Sequence, residues 1–539
     1  MSVAHVPVLI VGAGAGGLTT SAVLANHGVR SLLVEKRGEV FIYPKARNLS
    51  FRSLEILREL GLADGVHAVA DRVSDMVVKP TLNSAEEELA IDIDALFAGL
   101  EQLSPEPAVQ YCPQSSLEPM LLAETRRRGS KVRYGTELCT FEQDDIGVTA
   151  VLRDLDSGES ETVRADYLIA ADGVHSPIRK SLGVTTSGYG ALPIFVVFFY
   201  FRAPWRQFVS HLREGDGVQV KNPDVDGIFL VAKDDLGMFI TTYFPDKGET
   251  AAQFTPQYCS EVLTKAVGEP IEIEIIEAAA WQPYEQVADQ FQCGRVFLVG
   301  DSGHTMPPFK AGGANTAIQS AHNLAWKLAA VLEGLAGAAL LTTFHAERHP
   351  VGQSAAHQSL TGPKVALIDL DDQGPGLPLD EEASMFSLLI GYQYRSAAVI
   401  SDQPAPDNAD AVSLVDELRA QPGTRVPHAW VQRAGHRVST LDLVGSGFTL
   451  FTGSAGVAWA TAAGAVSATL HVPIRVHIIS TDGEIRDIEG RWAQLTGLSR
   501  DEALLVRPDG FVAWRTGALP PSPEDRLSQV LCQILSREQ

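Results

Sequence analysis

VLIVGAGAGGLTTSAVLANHGVRSLLVE, residues Val8–Glu35, is the stretch whose reading decides the fold. Val8 to Val11 is an unbroken apolar run, the pattern of a strand buried on both faces. Glycines follow at once, and Gly12, Gly14 and Gly17 meet the spacing G-x-G-x-x-G. Leu18, Ala22, Leu24 and Ala25 then carry a helix to a stop at His27-Gly28. A second strand, Ser31 to Val34, ends in Glu35. Strand, glycine turn, helix, strand and acid together form a dinucleotide fingerprint in its proper context. The glycines let a pyrophosphate approach the backbone, the helix start attracts it, and the acid accepts from a ribose. An acid at Glu35 disfavours a 2′-phosphate, so the dinucleotide expected here is FAD or NAD.

A second stretch, GRVFLVGDSGHTMPPFKAGGANTAIQSAHNLAWK (Gly294–Lys327), has a related build. A buried strand from Val296 to Val299 runs into an acid, a histidine, paired prolines and paired glycines. A helix is expected from about Ala314, with Ile318, Ala321, His322 and Ala325 at helical spacing. Gly312 and Gly313 permit close approach of a planar ligand, and the helix start behind them carries partial positive charge. Such a start suits the negative end of a reduced flavin.

At 539 residues the chain needs two or three domains. A formal net charge of −23 argues against nucleic acid or an anionic membrane as partner. The five cysteines lack CxxC or ligand spacing, so neither a disulfide framework nor a metal site is expected. No basic start followed by an apolar core is present, and no apolar run reaches about 18 residues, so the expected location is cytoplasmic. Long apolar and aromatic strands between about Leu182 and Trp281 suggest an inserted antiparallel sheet. Beyond them, a helical region over 338–360 is expected to break at His349-Pro350. Residues 369–382 read as a surface loop and 401–408 as a linker.

Three further stretches carry a resemblance: Pro44 to Glu55 (PKARNLSFRSLE), Tyr111 to Gln114 (YCPQ) and Asp166 to Arg179 (DYLIAADGVHSPIR). With the two glycine segments, the chain resembles the single-component FAD-dependent aromatic hydroxylases, the group of para-hydroxybenzoate and phenol hydroxylases. It looks most like the bacterial aromatic polyketide hydroxylases. That family has a P-[RK]-A-x-G-x-x-x-R-[ST]-x-E stretch over the flavin, matched by Lys45, Arg47, Arg52 and Glu55, with Asn48 in place of glycine. Asn tolerates left-handed backbone better than most residues. The family's G-D-A-A-H is here Gly300-Asp301-Ser302-Gly303-His304. Its P-P-T-G-G-x-G-x-N reads Pro307-Pro308-Phe309-Lys310-Ala311-Gly312-Gly313-Ala314-Asn315, and Ala317 replaces a common glycine.

The resemblance implies an α/β fold in which a Rossmann-like FAD domain (1–182 and 282–400) receives a substrate-binding sheet (183–281). A thioredoxin-like domain without CxxC follows (401–539). It implies that FAD is held by Gly12, Gly14, Gly17, Glu35, Lys36, Arg47, Gln114, Asp172, Asp301, Gly313, Ala314 and Asn315. Arg47, Pro308, Gly312 and Gly313 would act at the reacting end, with Arg47 controlling flavin position. Phe198, Tyr200, Phe229, Phe239, Tyr243 and Pro307 are candidates for the flat walls of an aromatic pocket. The expected reaction is hydroxylation of a phenolic polycyclic substrate of polyketide type through a flavin C4a-hydroperoxide, with NADPH or NADH and O2 as co-substrates. Baeyer–Villiger oxygenation on the same scaffold and non-catalytic flavin or polyketide binding are the alternatives. The chain is expected to act as a monomer or homodimer, with no nucleic acid, membrane or metal.

Overall fold

The protein is described from a computed structural model, which covers residues 4–40, 46–73, 75–213, 216–231, 235–310, 312–361, 382–401 and 412–537. Most of the loop expected at 369–382 and of the linker expected at 401–408 lies outside the described residues, as do Pro44 and Lys45.

The apolar runs form the parallel centre of the first sheet. Ala4–Val11 pairs in parallel with Ser31–Val34 on one side and Ser160–Ala170 on the other, and Val296–Leu298 joins beyond Ser160–Ala170. Lys131–Arg133 extends the sheet past Ser31–Val34. Thr136–Gln143 and Val148–Asp154 form an antiparallel extension that feeds the long strand Ser160–Ala170. Helix Ala15–Asn26 packs against helix Gly312–Leu332, burying Leu18, Ala22, Ile318 and Ala321 over the sheet. The two glycine segments are thereby brought side by side, although almost 300 residues apart in sequence.

The inserted sheet has seven strands among the described residues. In order they are Glu274–Trp281, Phe195–Arg202, Leu236–Tyr243, Asp226–Val231, Gly217–Lys221, Met76–Lys79 and Glu88–Ile91. The last two come from ahead of the range 183–281, so the sheet reaches back into the first part of the chain. Its far face closes on the helix Pro256–Val267, where Cys259, Leu263 and Val267 meet Phe199, Phe201 and Phe229. Glu86, Glu87 and Glu88 are exposed, as their charge requires.

The C-terminal domain is α/β and thioredoxin-like. Phe448–Thr452 is central, parallel to Ile474–Ser480 and antiparallel to Ala503–Val506, with helix Val457–Leu470 as the crossover. It carries only Cys532, so it holds no dithiol. This domain docks on helices Gly312–Leu332 and Thr342–Gln358. The break expected at Pro350 does not occur; Thr342–Gln358 runs through it as one helix. Proline forfeits one backbone hydrogen bond there, but the next turn is packed. Val351 is buried, and a Cβ on Gly352 would lie 3.3 Å from the Phe291 ring. Tertiary packing outweighs the local preference.

Three histidines are held neutral by the packing. Burial lowers His27 to about 4, His304 to about 3 (aided by Arg348) and His428 to about 4 from an ordinary 6.5. The folded chain therefore binds fewer protons than the unfolded chain below pH 6.5. Their contribution is complete above 6.5 and is lost as pH falls towards 4, on the order of 2 kcal/mol per histidine by pH 5. Urea unfolding at pH 5 should show a clearly lower midpoint than at pH 7.5. An unchanged midpoint would contradict this assignment.

Candidate flavin and substrate site

The motifs converge because glycines remove the atoms that would keep them apart. Gly12 has φ +108°, and a Cβ there would lie 2.1 Å from the Ala171 carbonyl oxygen and 3.2 Å from the Asp172 nitrogen. A Cβ on Gly17 would lie 1.9 Å from the Gly12 carbonyl oxygen. One on Gly16 would meet Val299, Ala317 and Gly300 at 3.3–3.7 Å. Gly14 differs: its nearest neighbour to an added Cβ is Glu118 Oε1 at 3.9 Å. The turn is thus closed on the protein side and open where a ligand would approach, which is what a pyrophosphate cradle needs.

Glu35, 6% exposed, closes the second strand. Its Oε2 accepts from Ala13 N at 2.8 Å, and its Oε1 accepts from the backbone and Nε of Arg37, both at 3.0 Å. Burial raises its pKa, but these hydrogen bonds outweigh burial and hold the carboxyl below its ordinary range. Arg37, two residues on, is a partner that motif reading passed over. Lys36 between them is exposed. Gln114 begins the helix Gln114–Arg127; its Oε1 accepts from Ala46 N at 3.3 Å and its Nε2 donates to Glu118. It therefore holds the segment that leads to Arg47. Asp172 is raised by burial and accepts from Ser176 Oγ at 2.6 Å and Ile178 N at 3.1 Å, ordering the turn into helix Pro177–Ser181. Asp301 is exposed beside that turn's partner, Ser302, whose carbonyl accepts from Arg179 at 2.7 Å.

The Arg47 side chain has no hydrogen bond or ion pair among the described residues. Burial lowers its pKa, opposed by the nearby Tyr111 and Tyr200. A half-buried guanidinium without a carboxylate is costly unless something else faces it. Its own backbone is fixed, since Cys112 N donates to Arg47 O at 2.7 Å. Asn315 binds the strand Asn48–Ser50, which follows Arg47 directly, to the start of the long helix. Its Oδ1 accepts from Ser50 N (2.9 Å), Ser50 Oγ (3.2 Å) and Ser53 Oγ (2.6 Å), and its Nδ2 donates to Asn48 O at 3.0 Å. The Asn315 side chain thereby braces the strand that follows Arg47 against the helix start.

Helix Gly312–Leu332 starts two residues earlier than expected, which puts Gly312, Gly313 and Ala314 in its first turn. A Cβ on Gly312 would lie 2.7 Å from Met306 Sδ, so this glycine serves packing, whereas Gly313 has room, with Met306 Cγ at 3.9 Å. Ala317 packs towards Gly16 and Gly300, so the missing glycine there takes nothing from a ligand face. Lys310 is turned to Glu382 at 2.7 Å and neutralised. Pro307 is buried and Pro308 exposed.

The strand register separates the aromatic candidates. Phe198 and Tyr200 share one face with Val196, Ile228, Met238 and Ile240, the face turned to Arg47. Phe229, Phe239 and Tyr243 point the other way, into the core closed by helix Pro256–Val267, and are corrected as pocket candidates. Strand periodicity of two allows either face, and only the position of that helix decides. Trp281, which sequence reading did not single out, belongs to the near face. It stacks on Phe198 with centroids 6.0 Å apart and planes at 15°, and Phe198 lies 6.4 Å from Tyr200. The Trp281 indole N–H is buried without a partner among the described residues. The register Val196↔Trp281 could have suggested it only once the strands were paired.

FAD fits these residues: a glycine turn open on one side, a buried acid at the ribose position, and a half-buried guanidinium beside an apolar face. Comparison with known proteins agrees. Residues 5–359 match the FAD binding domain model, and 419–537 match the C-terminal domain of aromatic-ring hydroxylases. Tetracenomycin A2 monooxygenase-dioxygenase of Streptomyces glaucescens is 38% identical, over 100% of this chain and 98% of its own. A 4-methyl-5-nitrocatechol 5-monooxygenase of Burkholderia sp is 38% identical, over 99% and 98%. A crystal structure of aklavinone-11 hydroxylase in ternary complex with FAD and aklavinone superposes with a TM-score of 0.88 at 34% identity, covering 100% of both chains. The chain therefore belongs to the FAD-dependent aromatic-ring hydroxylases, a family of monooxygenases.

Proposed function

We propose that this enzyme consumes NAD(P)H and O2 to hydroxylate a planar, phenolic polycyclic substrate of the aromatic polyketide type. The observation that carries the reading is the aromatic face Tyr200–Phe198–Trp281, whose Tyr200 lies near Arg47. Three rings at about 6 Å intervals offer a longer wall than a single phenol needs. FAD would supply the redox chemistry when bound, taking electrons from NAD(P)H and delivering one oxygen atom of O2 by way of the C4a-hydroperoxide that the resemblance implies. The other oxygen atom leaves as water. The residues of the chain bind, orient and exclude water. Gly12, Gly14 and Gly17 admit the pyrophosphate, Glu35 accepts from the ribose, and Gly313 with Ala314 presents the helix start to the flavin. Arg47 offers its charge to the flavin or to a substrate phenolate, and Asn315 keeps it in register with that helix start. Dryness of the apolar face protects the oxidant from decay to peroxide.

The nitrocatechol-oxidising relative supports a second reading, a substituted monocyclic phenol as substrate. NAD(P)H oxidation by the FAD-loaded protein, with oxygen uptake, peroxide and product mass recorded together, tests both. Tetracyclic phenols should accelerate oxidation and gain one oxygen atom, while nitrocatechols should leave peroxide as the main product. The reverse pattern would replace the first reading by the second. A product that hydrolyses to a ring-opened acid would point to Baeyer–Villiger chemistry, and oxidation stimulated by no aromatic compound would sink the hydroxylase reading. Within the first reading, Phe198→Ala should raise KM about tenfold and leave stability nearly intact. Phe229→Ala should instead cost about 3–5 kcal/mol of stability with little effect on KM.

A further inference from the structure

The C-terminal domain lacks any dithiol, yet the charges it shares with the FAD domain are buried a few residues beyond Arg47, past the strand Asn48–Ser50. Helix Phe51–Glu59 begins directly after Asn48–Ser50. On its first turns stand Arg52 (6% exposed) and Glu55 (7% exposed). Arg52 Nη1 donates to Glu55 Oε2 at 3.0 Å, while Nη2 donates to the Asp509 backbone carbonyl of the C-terminal domain at 2.7 Å. Its guanidinium also lies 5.6 Å from the Phe511 ring centroid. Arg425, from the same domain and fully buried, reaches Glu55 Oε1 at 3.3 Å. Two guanidinium groups thus surround one carboxylate, and both lead to the C-terminal domain. Apolar docking alone would tolerate sliding, whereas buried ionic groups accept a single register. Arg52 and Glu55 belong to the stretch expected over the flavin, and the structure ties both to the C-terminal domain.

We propose that the C-terminal domain is a positioning module for the flavin site. By gripping Arg52 and Glu55 it fixes helix Phe51–Glu59, and through Ser50 and Asn315 it holds Arg47 against the helix start at Gly313. Arg52 is a positioning residue, and its role rests on the reading of Arg47 given above.

The test uses the full chain. Arg52→Met removes the bond to Asp509 and leaves Glu55 paired one-to-one with Arg425, so no buried charge is orphaned. Arg52→Lys keeps the charge without the fork. Arg425→Met is the companion variant, releasing the grip from the other side while leaving Glu55 with Arg52. FAD affinity should hold, because the glycine turn is untouched. The visible circular dichroism of the bound flavin should change in both Met variants, and the peroxide-to-product ratio should rise about tenfold, with partial recovery in Arg52→Lys. Wild-type dichroism and coupling in a Met variant whose thermal midpoint falls would overturn the proposal and leave only a docking role. Hydrogen exchange on the wild type needs no variant. Residues 46–59 should open together with 507–511, and independent opening would equally overturn it. If the wild type itself oxidises no aromatic compound, the hydroxylase reading fails, while flavin dichroism and hydrogen exchange still decide the positioning role.

Discussion

Gly12→Ala should yield purified protein without FAD. The position combines two penalties that do not relax together. A φ of +108° is strained for any L side chain, and the added Cβ would sit 2.1 Å from the Ala171 carbonyl oxygen, which is backbone of the central strand's continuation. Relief requires the Gly12 turn and the Ala171-Asp172 segment to separate, and those are the two walls that a dinucleotide would span. The Gly12 N–H is also tied to Val34 O at 2.8 Å, and Ala171 N to Val11 O at 2.8 Å, so movement breaks sheet bonds as well. Flavin content per chain after gel filtration should fall by more than about tenfold, with the far-ultraviolet spectrum retained because the core strands remain paired. Gly14→Ala makes the contrast. Its Cβ meets only Glu118 Oε1 at 3.9 Å, so the apoprotein should keep its stability while FAD affinity drops. Full flavin content in Gly12→Ala would mean that the dinucleotide does not lie across this turn.

Glu347→Gln should be the most destabilising conservative substitution. Glu347 is fully buried between Lys327, which donates to Oε2 at 2.8 Å, and Arg507, which donates to Oε1 at 2.5 Å and to Oε2 at 2.9 Å. Ser396 Oγ adds a bond of 2.6 Å and Asn323 Nδ2 one of 2.7 Å. Burial raises the pKa of Glu347, but Arg507 and Lys327 overcome it and hold the carboxyl far below its ordinary range. Burial lowers Lys327 to about 8. The amide would leave these two cations with Asp509 as the nearest acid, at a cost of about 3–5 kcal/mol. Because the folded pKa of Glu347 is depressed, its contribution is present above the unfolded carboxylate pKa and disappears as pH falls below it. Urea unfolding at pH 7.5 should therefore separate variant from wild type, and the gap should narrow at low pH. Glu347→Met combined with Lys327→Met should recover part of the loss, since Arg507 then keeps Asp509 alone, at 2.9 Å from Nε. A double variant as unstable as the sum of its parts would show the two groups to be uncoupled.

Particular residues show where sequence reading stops. Gly12, Gly17 and Glu35 are readable because local backbone geometry requires them: a turn too tight for a Cβ and an acid at the end of the neighbouring strand are dictated within 30 residues. Arg37 lies within the same 30 residues, but nothing in its spacing says that it will pair with Glu35. Asn315 stands in the motif expected to hold the cofactor, yet its hydrogen bonds run to Asn48, Ser50 and Ser53, more than 260 residues earlier. Lys310 looks like a cation for the site until Glu382 is seen beside it. Phe198 and Phe229 are alike as sequence, and one lies on the face of Tyr200, near Arg47, while the other fills a core.

The sequence by itself determined the α/β class and the dinucleotide turn, because those follow from apolar periodicity, glycine geometry and short spacings, while the order of the domains and the family came through the resemblance that its motifs carry. Tertiary structure alone decided which aromatic residues fill the core behind the sheet, where the Asn315 side chain is bonded, and that Arg52 and Glu55 meet the C-terminal domain. Side-chain direction and charge pairing depend on what packs opposite, and that partner lies hundreds of residues away.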